Sequence, residues 1–156
     1  MALLGRIKAK KLLKLAVQYH EVKDFARAEE HYKKALEADN TFYEIYLNYA
    51  YLLEDMQRID EAEWAYKKAI ELNPRCPEAH TGLGAIYHSR RQLYDAEREF
   101  RAAIEADSNY IMAWINLGTC LIDMGRFPEA KQVFEEALKH TNDPEMIRII
   151  KSKLIC

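Results

Sequence analysis

Glycine and proline are scarce, with five and four residues in a chain of 156. Tight turns draw heavily on both, so their scarcity disfavours a turn-rich β fold. Cysteine is scarcer still. Cys76, Cys120 and Cys156 are odd in number, widely spaced and form no C-x-x-C pair. Neither a zinc site nor a disulfide framework is indicated, and a reducing, cytoplasmic setting is expected. No apolar run approaches the ~20 residues that span a bilayer. The start, Met1 to Val17, is interrupted by lysines and has no signal-peptide core. Net charge is also small, at -2, so the total gives no reason to expect nucleic acid or a membrane surface as partner.

Signatures of catalysis are missing as well. The five histidines (His20, His31, His80, His88 and His140) include no i, i+4 pair and no H-E-x-x-H. There is no G-x-S-x-G and no Walker lysine. Gly82-Leu83-Gly84 lies in a helical pattern and follows no strand, so it is no phosphate loop. Catalytic residues, metal ligands and cofactors are therefore all expected to be none, and the chain is not expected to be an enzyme.

What is present is helix-forming residues and a period. Hydrophobic residues make up 49% and charged residues 31%, a globular balance. Residues 1–20 hold Arg6, Lys8, Lys10, Lys11 and Lys14 and no acid, which makes a basic start on an acidic remainder. That segment reads as a solvated face. Four blocks of 34 residues align without a gap: 9–42, 43–76, 77–110 and 111–144. A leader, 1–8, and a tail helix, 145–156, complete a single expected domain.

The columns of this alignment carry the reading. Leu15, Tyr49, Leu83 and Leu117 coincide, followed by Ala16, Ala50, Gly84 and Gly118. Ala28, Ala62, Ala96 and Ala130 form a column, and Ala35, Ala69, Ala103 and Ala137 another. Between these two lie Tyr32, Tyr66, Phe100 and Phe134. Small residues let two helix backbones approach, and the aromatic fills the space that remains. Apolar residues at i, i+3, i+4 and i+7 mark both halves of each block as amphipathic helices. The paired helices break at Lys23-Asp24, Gln57-Arg58, Arg91-Gln92 and Gly125-Arg126. Pro77, Pro128 and Pro144 suit a helix's first turn.

These blocks resemble tetratricopeptide repeats, whose pattern is W-x-x-L-G-x-x-Y followed by A-x-x-x-F. The fourth block supplies Trp114, Leu117, Gly118 and Leu121, then Ala130 and Phe134. Leu12 and His80 stand where Trp is usual. The resemblance implies an all-α, right-handed superhelical solenoid of four helix pairs plus a C-terminal helix. The first helix of each pair would line a concave groove.

The implied function is a protein–protein interaction module, an adaptor or chaperone-like binder of a partner peptide segment. Helical periodicity sets the expected groove residues. They are Leu13, Lys14, Val17, Leu47, Asn48, Tyr51, Ala85, His88, Ile115, Asn116, Thr119 and Ile122. Apolar members such as Leu47, Tyr51 and Ile115 are expected to be unnecessary for stacking and to favour a partner with apolar side chains. In similar repeats, an asparagine at the place of Asn48 and Asn116 hydrogen-bonds the backbone of an extended ligand. A plain solvated polar role is the competing reading. One variant of the family clamps the carboxylate tail of heat-shock chaperones with Lys, Asn and Arg. Here Leu13, Val17, Glu78 and Gly82 occupy most of those places, so the basic fork is missing.

The tail carries more apolar residues than one packing face needs. Ile147, Ile150, Leu154 and Ile155 are therefore expected to serve self-association, which makes a homo-oligomer or an end-to-end scaffold the alternative function. A third reading is that the chain is a domain of a larger protein.

Overall fold

The computed structural model describes residues 2–154. Ile155 and Cys156 lie outside the described residues, so the self-association expected of Ile155 is not addressed. Among the described residues there are nine α-helices and no strand. In chain order they are α1 (Ala2–Glu21), α2 (Phe25–Ala38), α3 (Tyr43–Asp55), α4 (Ile59–Leu72) and α5 (Pro77–Ser89). Then follow α6 (Leu93–Ala106), α7 (Ile111–Asp123), α8 (Phe127–Ala137) and α9 (Pro144–Leu154). The four helix pairs fall on the four 34-residue blocks. The leader is not a separate element, because α1 runs through it without a break.

Each pair turns by the same device. Lys23, Gln57, Arg91 and Gly125 are left-handed, with φ of 60°, 59°, 60° and 75°. The next residue's N–H reaches back across the helix end: Asp24 to Tyr19 O, Arg58 to Leu53 O, Gln92 to Tyr87 O and Arg126 to Leu121 O. This closes otherwise orphaned carbonyls and reverses the chain in a few residues. Asp24 also caps α2, its Oδ1 accepting the Arg27 N–H at 3.2 Å. Asp143 accepts the Glu145 N–H at 2.8 Å ahead of α9, with Pro144 in the first position.

The chain gathers into two compact units, Met1–Pro74 and Arg75–Cys156. The first contains two helix pairs, α1 with α2 and α3 with α4. Ala28, Tyr32, Ala35, Ala62, Tyr66 and Ala69 are all fully buried in it. Tyr49 of α3 stacks on Tyr32 of α2, ring centroids 5.6 Å apart, and its hydroxyl donates to Glu29 at 2.9 Å. Leu15 shares a column with Tyr49 yet is 42% exposed. Tyr49 is covered by Tyr32 of α2, whereas Leu15 has no such ring over it among the described residues.

The second unit contains α5 with α6, α7 with α8, and α9 against α8. Its core collects Phe100, Leu117, Cys120, Leu121 and Phe134. Trp114 donates to Ser108 O at 2.8 Å and stacks on His140 at 5.4 Å. The tail's apolar residues are largely absorbed here. Ile150 is 0% exposed, and Met146, Ile149 and Leu154 pack against the same core. The self-association expected at Ile150 therefore finds no surface. Once α9 lies on α8, that side chain points inward.

Candidate functional site

In the first unit, α1 and α3 bring six of the expected groove residues together. Lys14 is exposed, and Leu13, Val17, Asn48 and Tyr51 are half-buried. Asn48 donates from Nδ2 to Glu44 O at 2.7 Å, one turn back. Its Oδ1 accepts nothing among the described residues. Tyr51 meets Tyr66 edge-on at 6.0 Å, which fixes its ring. At the end of these helices His20 Nε2 lies 2.8 Å from Asp55 Oδ2. Val17, His20, Glu21, Lys23 and Asp55 line an open cleft of about 280 Å³.

The second unit repeats the arrangement on α5 and α7. Ala85 is exposed, while His88, Asn116, Thr119 and Ile122 are half-buried. His88 Nε2 lies 2.7 Å from Asp123 Oδ2. The Thr119 hydroxyl donates to Ile115 O at 2.9 Å. Ile122 opens into a separate hollow of about 200 Å³, shared with Phe127, Ala130, Phe134 and Leu154 and edged by Lys131 and Lys153.

Two expectations are corrected. Leu47 and Ile115 are only 8% and 6% exposed. Neighbouring first helices touch within each unit, α1 with α3 and α5 with α7. Side chains at this turn fall into that seam, so they stack rather than line an open face. The accessible lining is consequently more polar than helical periodicity alone suggests.

One order in the polar residues was not anticipated. Pairs recur at a spacing of 68, two blocks rather than one. His20–Asp55 matches His88–Asp123. Arg58 bridges Glu29 at 2.8 Å and Glu61 at 2.6 Å, and Arg126 bridges Glu97 at 2.5 Å and Glu129 at 2.6 Å. Asp39 Oδ1 accepts the Thr41 N–H at 2.9 Å, and Asp107 Oδ1 accepts that of Asn109 at 2.9 Å. The identities at i and i+68 were readable in the sequence. Their pairing was not, since the partners lie up to 35 residues apart.

These bridges set the electrostatics. Burial pushes Glu29 up, but hydrogen bonds from Lys33, Arg58 and Tyr49 outweigh it and hold the carboxyl at about 2. Glu97 is lowered for the same reason, burial being overcome by Arg126 and Arg101. Glu54 is raised, chiefly by burial. Among the described residues, no group of three or more His, Cys, Asp or Glu is placed to hold a metal ion. No helix there is long and apolar enough to cross a membrane.

The tetratricopeptide repeat family's sequence pattern matches residues 19–86 and 87–154, two tandem stretches at the spacing seen in the polar pairs. The chain belongs to the tetratricopeptide repeat family. No curated protein matches it. Among solved structures it is similar to MamA, with 26% identity over 85% of this chain and 77% of that one, at a TM-score of 0.78. It is similar to PilF of Pseudomonas aeruginosa, with 22% identity over 97% and 70% of the two chains and a TM-score of 0.82. A third neighbour is the first TPR of Spaghetti (RPAP3) bound to the HSP90 peptide SRMEEVD. It shares 21% identity over 77% of this chain and 95% of that one, at a TM-score of 0.73. At 22% and 21% identity, these last two show the helical-repeat fold alone.

Proposed function

We propose that this chain is an adaptor that holds a segment of a partner protein against the exposed faces of its first helices. One observation carries the reading. Asn48 and Asn116 stand at equivalent places, one in each unit, and both are half-buried rather than enclosed. A primary amide both donates and accepts, so it reads the backbone of an extended segment whatever its sequence. Val17 and Tyr51 in the first unit, and Ile122 in the second, offer modest apolar contact to its side chains. A peptide as ligand class is also supported by the neighbour that holds SRMEEVD. An acidic tail of that kind suits this chain poorly, because Leu13, Val17, Glu78 and Gly82 supply no basic fork. The work is binding rather than catalysis, and a reducing, cytoplasmic site of action fits free, buried Cys76 and Cys120. Assembly through the tail has less support, since Ile150 is inside the fold.

Site-specific photo-crosslinking tests this. A benzoylphenylalanine at Val17 or at Thr119 should trap the same partner in the cells of origin. Asn48→Ala with Asn116→Ala should weaken that capture while leaving the melting temperature unchanged. A partner trapped only from second-helix positions, such as Tyr94, would overturn the reading. Leu47 is unsuited to such a test, because a charge there would disrupt packing.

A further inference from the structure

Half of the large exposed apolar side chains among the described residues belong to α1 and its end. They are Leu3, Leu4, Ile7, Leu15 and Val22, of which Leu4 is 71% and Val22 72% exposed. An apolar concentration of this kind on one short element marks an interaction surface. At 100° per residue, Leu4, Ile7, Leu15 and Val22 share one side of α1. Lys8 and Lys11 lie among them and Lys14 beside them, all exposed. None of these three lysines makes an ion pair among the described residues, and α1 itself carries no acid before Glu21. Two other cations of this segment are engaged: Arg6 lies 3.7 Å from Asp39 and 4.7 Å over the Phe42 ring, and Lys10 lies 5.8 Å over the same ring.

The rest of the chain shows what such a face receives. In the first unit the matching side of α3 holds α2: Tyr49 stacks on Tyr32 and, with Arg58, grips Glu29. In the second unit α7 holds α6, with Arg126 on Glu97. In each case the occupant is an amphipathic helix that offers a carboxylate to a cation beside the apolar seam. On α1 Leu15 stands where α3 has Tyr49, while Asp24 takes the place of Arg58; the cations beside this seam are instead Lys8 and Lys11, the latter where α3 has the fully buried Ile45. Leu4 to Val22 spans about 27 Å, at 1.5 Å per residue, enough to seat a helix of four to five turns.

We propose that this side of α1 docks an acidic amphipathic helix of a partner protein, seated as α2 sits on α3. The apolar stripe of the partner would cover Leu4, Leu15 and Val22, and its flanking Asp or Glu would meet Lys8, Lys11 and Lys14. A second copy of this chain is a poor occupant on charge grounds. Its terminal helix α9 is also basic, with Arg148, Lys151 and Lys153 against a single acid, Glu145. Apart from Lys14, which edges both, the surface is distinct from the first-helix faces assigned above, and Leu15 and Val22 belong to it alone, so the two readings stand or fall separately.

The test uses the whole chain and a defined probe. The probe is a lactam-bridged helical peptide with Leu at i, i+4, i+7 and i+11, flanked by Glu, and a twin flanked by Lys. The acidic peptide should bind at micromolar strength and weaken as salt rises, and the Lys twin should bind at least roughly tenfold less well. Leu15→Asp with Val22→Asp should abolish binding; both positions are exposed, and an unchanged melting temperature confirms that the fold is kept. Lys8→Glu with Lys11→Glu should reverse the preference between the twins. Equal binding of the twins would overturn the proposal. So would uptake by phosphatidylserine-rich vesicles without acidic-peptide binding, or a dimer in sedimentation that Leu15→Asp dissolves.

Discussion

A Cβ built on Gly84 would stand 2.6 Å from the Phe100 ring, and the same clash arises between Gly118 and Phe134. In the first two blocks the matching pairs are Ala16 with Tyr32 and Ala50 with Tyr66, all fully buried. The small-residue column is thus two fits, alanine in the first unit and glycine in the second. Gly84→Ala and Gly118→Ala should each cost about 1–3 kcal/mol, because a buried ring must leave its rotamer or the helices must separate. Urea denaturation at neutral pH measures this. Phe100→Leu should restore part of the loss in the Gly84→Ala chain, and no effect of either alanine would refute the close fit.

The turns offer the opposite experiment. Lys23 and Gln57 occupy left-handed backbone, which costs a side chain roughly 1–2 kcal/mol relative to glycine. Lys23→Gly and Gln57→Gly should therefore stabilise the chain, by about 0.5–1 kcal/mol each after the entropy that glycine adds to the unfolded state. Gly125→Ala, at φ 75°, should destabilise by about 1 kcal/mol. Thermal melts of the three variants would show the two signs.

Acid should weaken the fold through Glu29 and Glu97. Both have folded-state values below the ordinary one, Glu29 at about 2. A depressed carboxylate stabilises the native state above its unfolded value, near 4.5, and that contribution fades as pH falls toward 2. Glu29 should account for on the order of 1 kcal/mol, since solvent screens its partners. Glu29→Gln should lower stability at pH 7 and leave it little changed at pH 2.5, as measured by denaturant midpoints. An equal loss at both values would assign the effect to packing.

The thiols should be quiet. Burial pushes Cys76 up to about 11 and raises Cys120 as well. Both side chains are almost wholly enclosed, at 2% and 0% exposure. Iodoacetamide at pH 8 should leave Cys76 and Cys120 unmodified in the folded chain and alkylate both in urea. Rapid reaction of either in the native state, read by peptide mass, would contradict the packing described.

The chain alone made the 34-residue period legible, along with the four helix breaks and the alanine and aromatic columns. All of these rest on 3.6-residue periodicity and on turn chemistry, which act over a few residues and recur four times. Tertiary structure decided which side of a column is covered. Leu15 and Tyr49 share a column, but Tyr49 is covered by Tyr32 of α2 while Leu15 stays 42% exposed. Leu47 and Ile115 share the expected groove with Tyr51 and Thr119, yet they fall into the seam between neighbouring first helices. Ile150 belongs to a tail with apolar residues to spare, and α8 takes it in. The His–Asp pairs and arginine bridges join residues up to 35 positions apart. Burial and ion pairing depend on what stands opposite in space, and a single period along the chain does not carry that information.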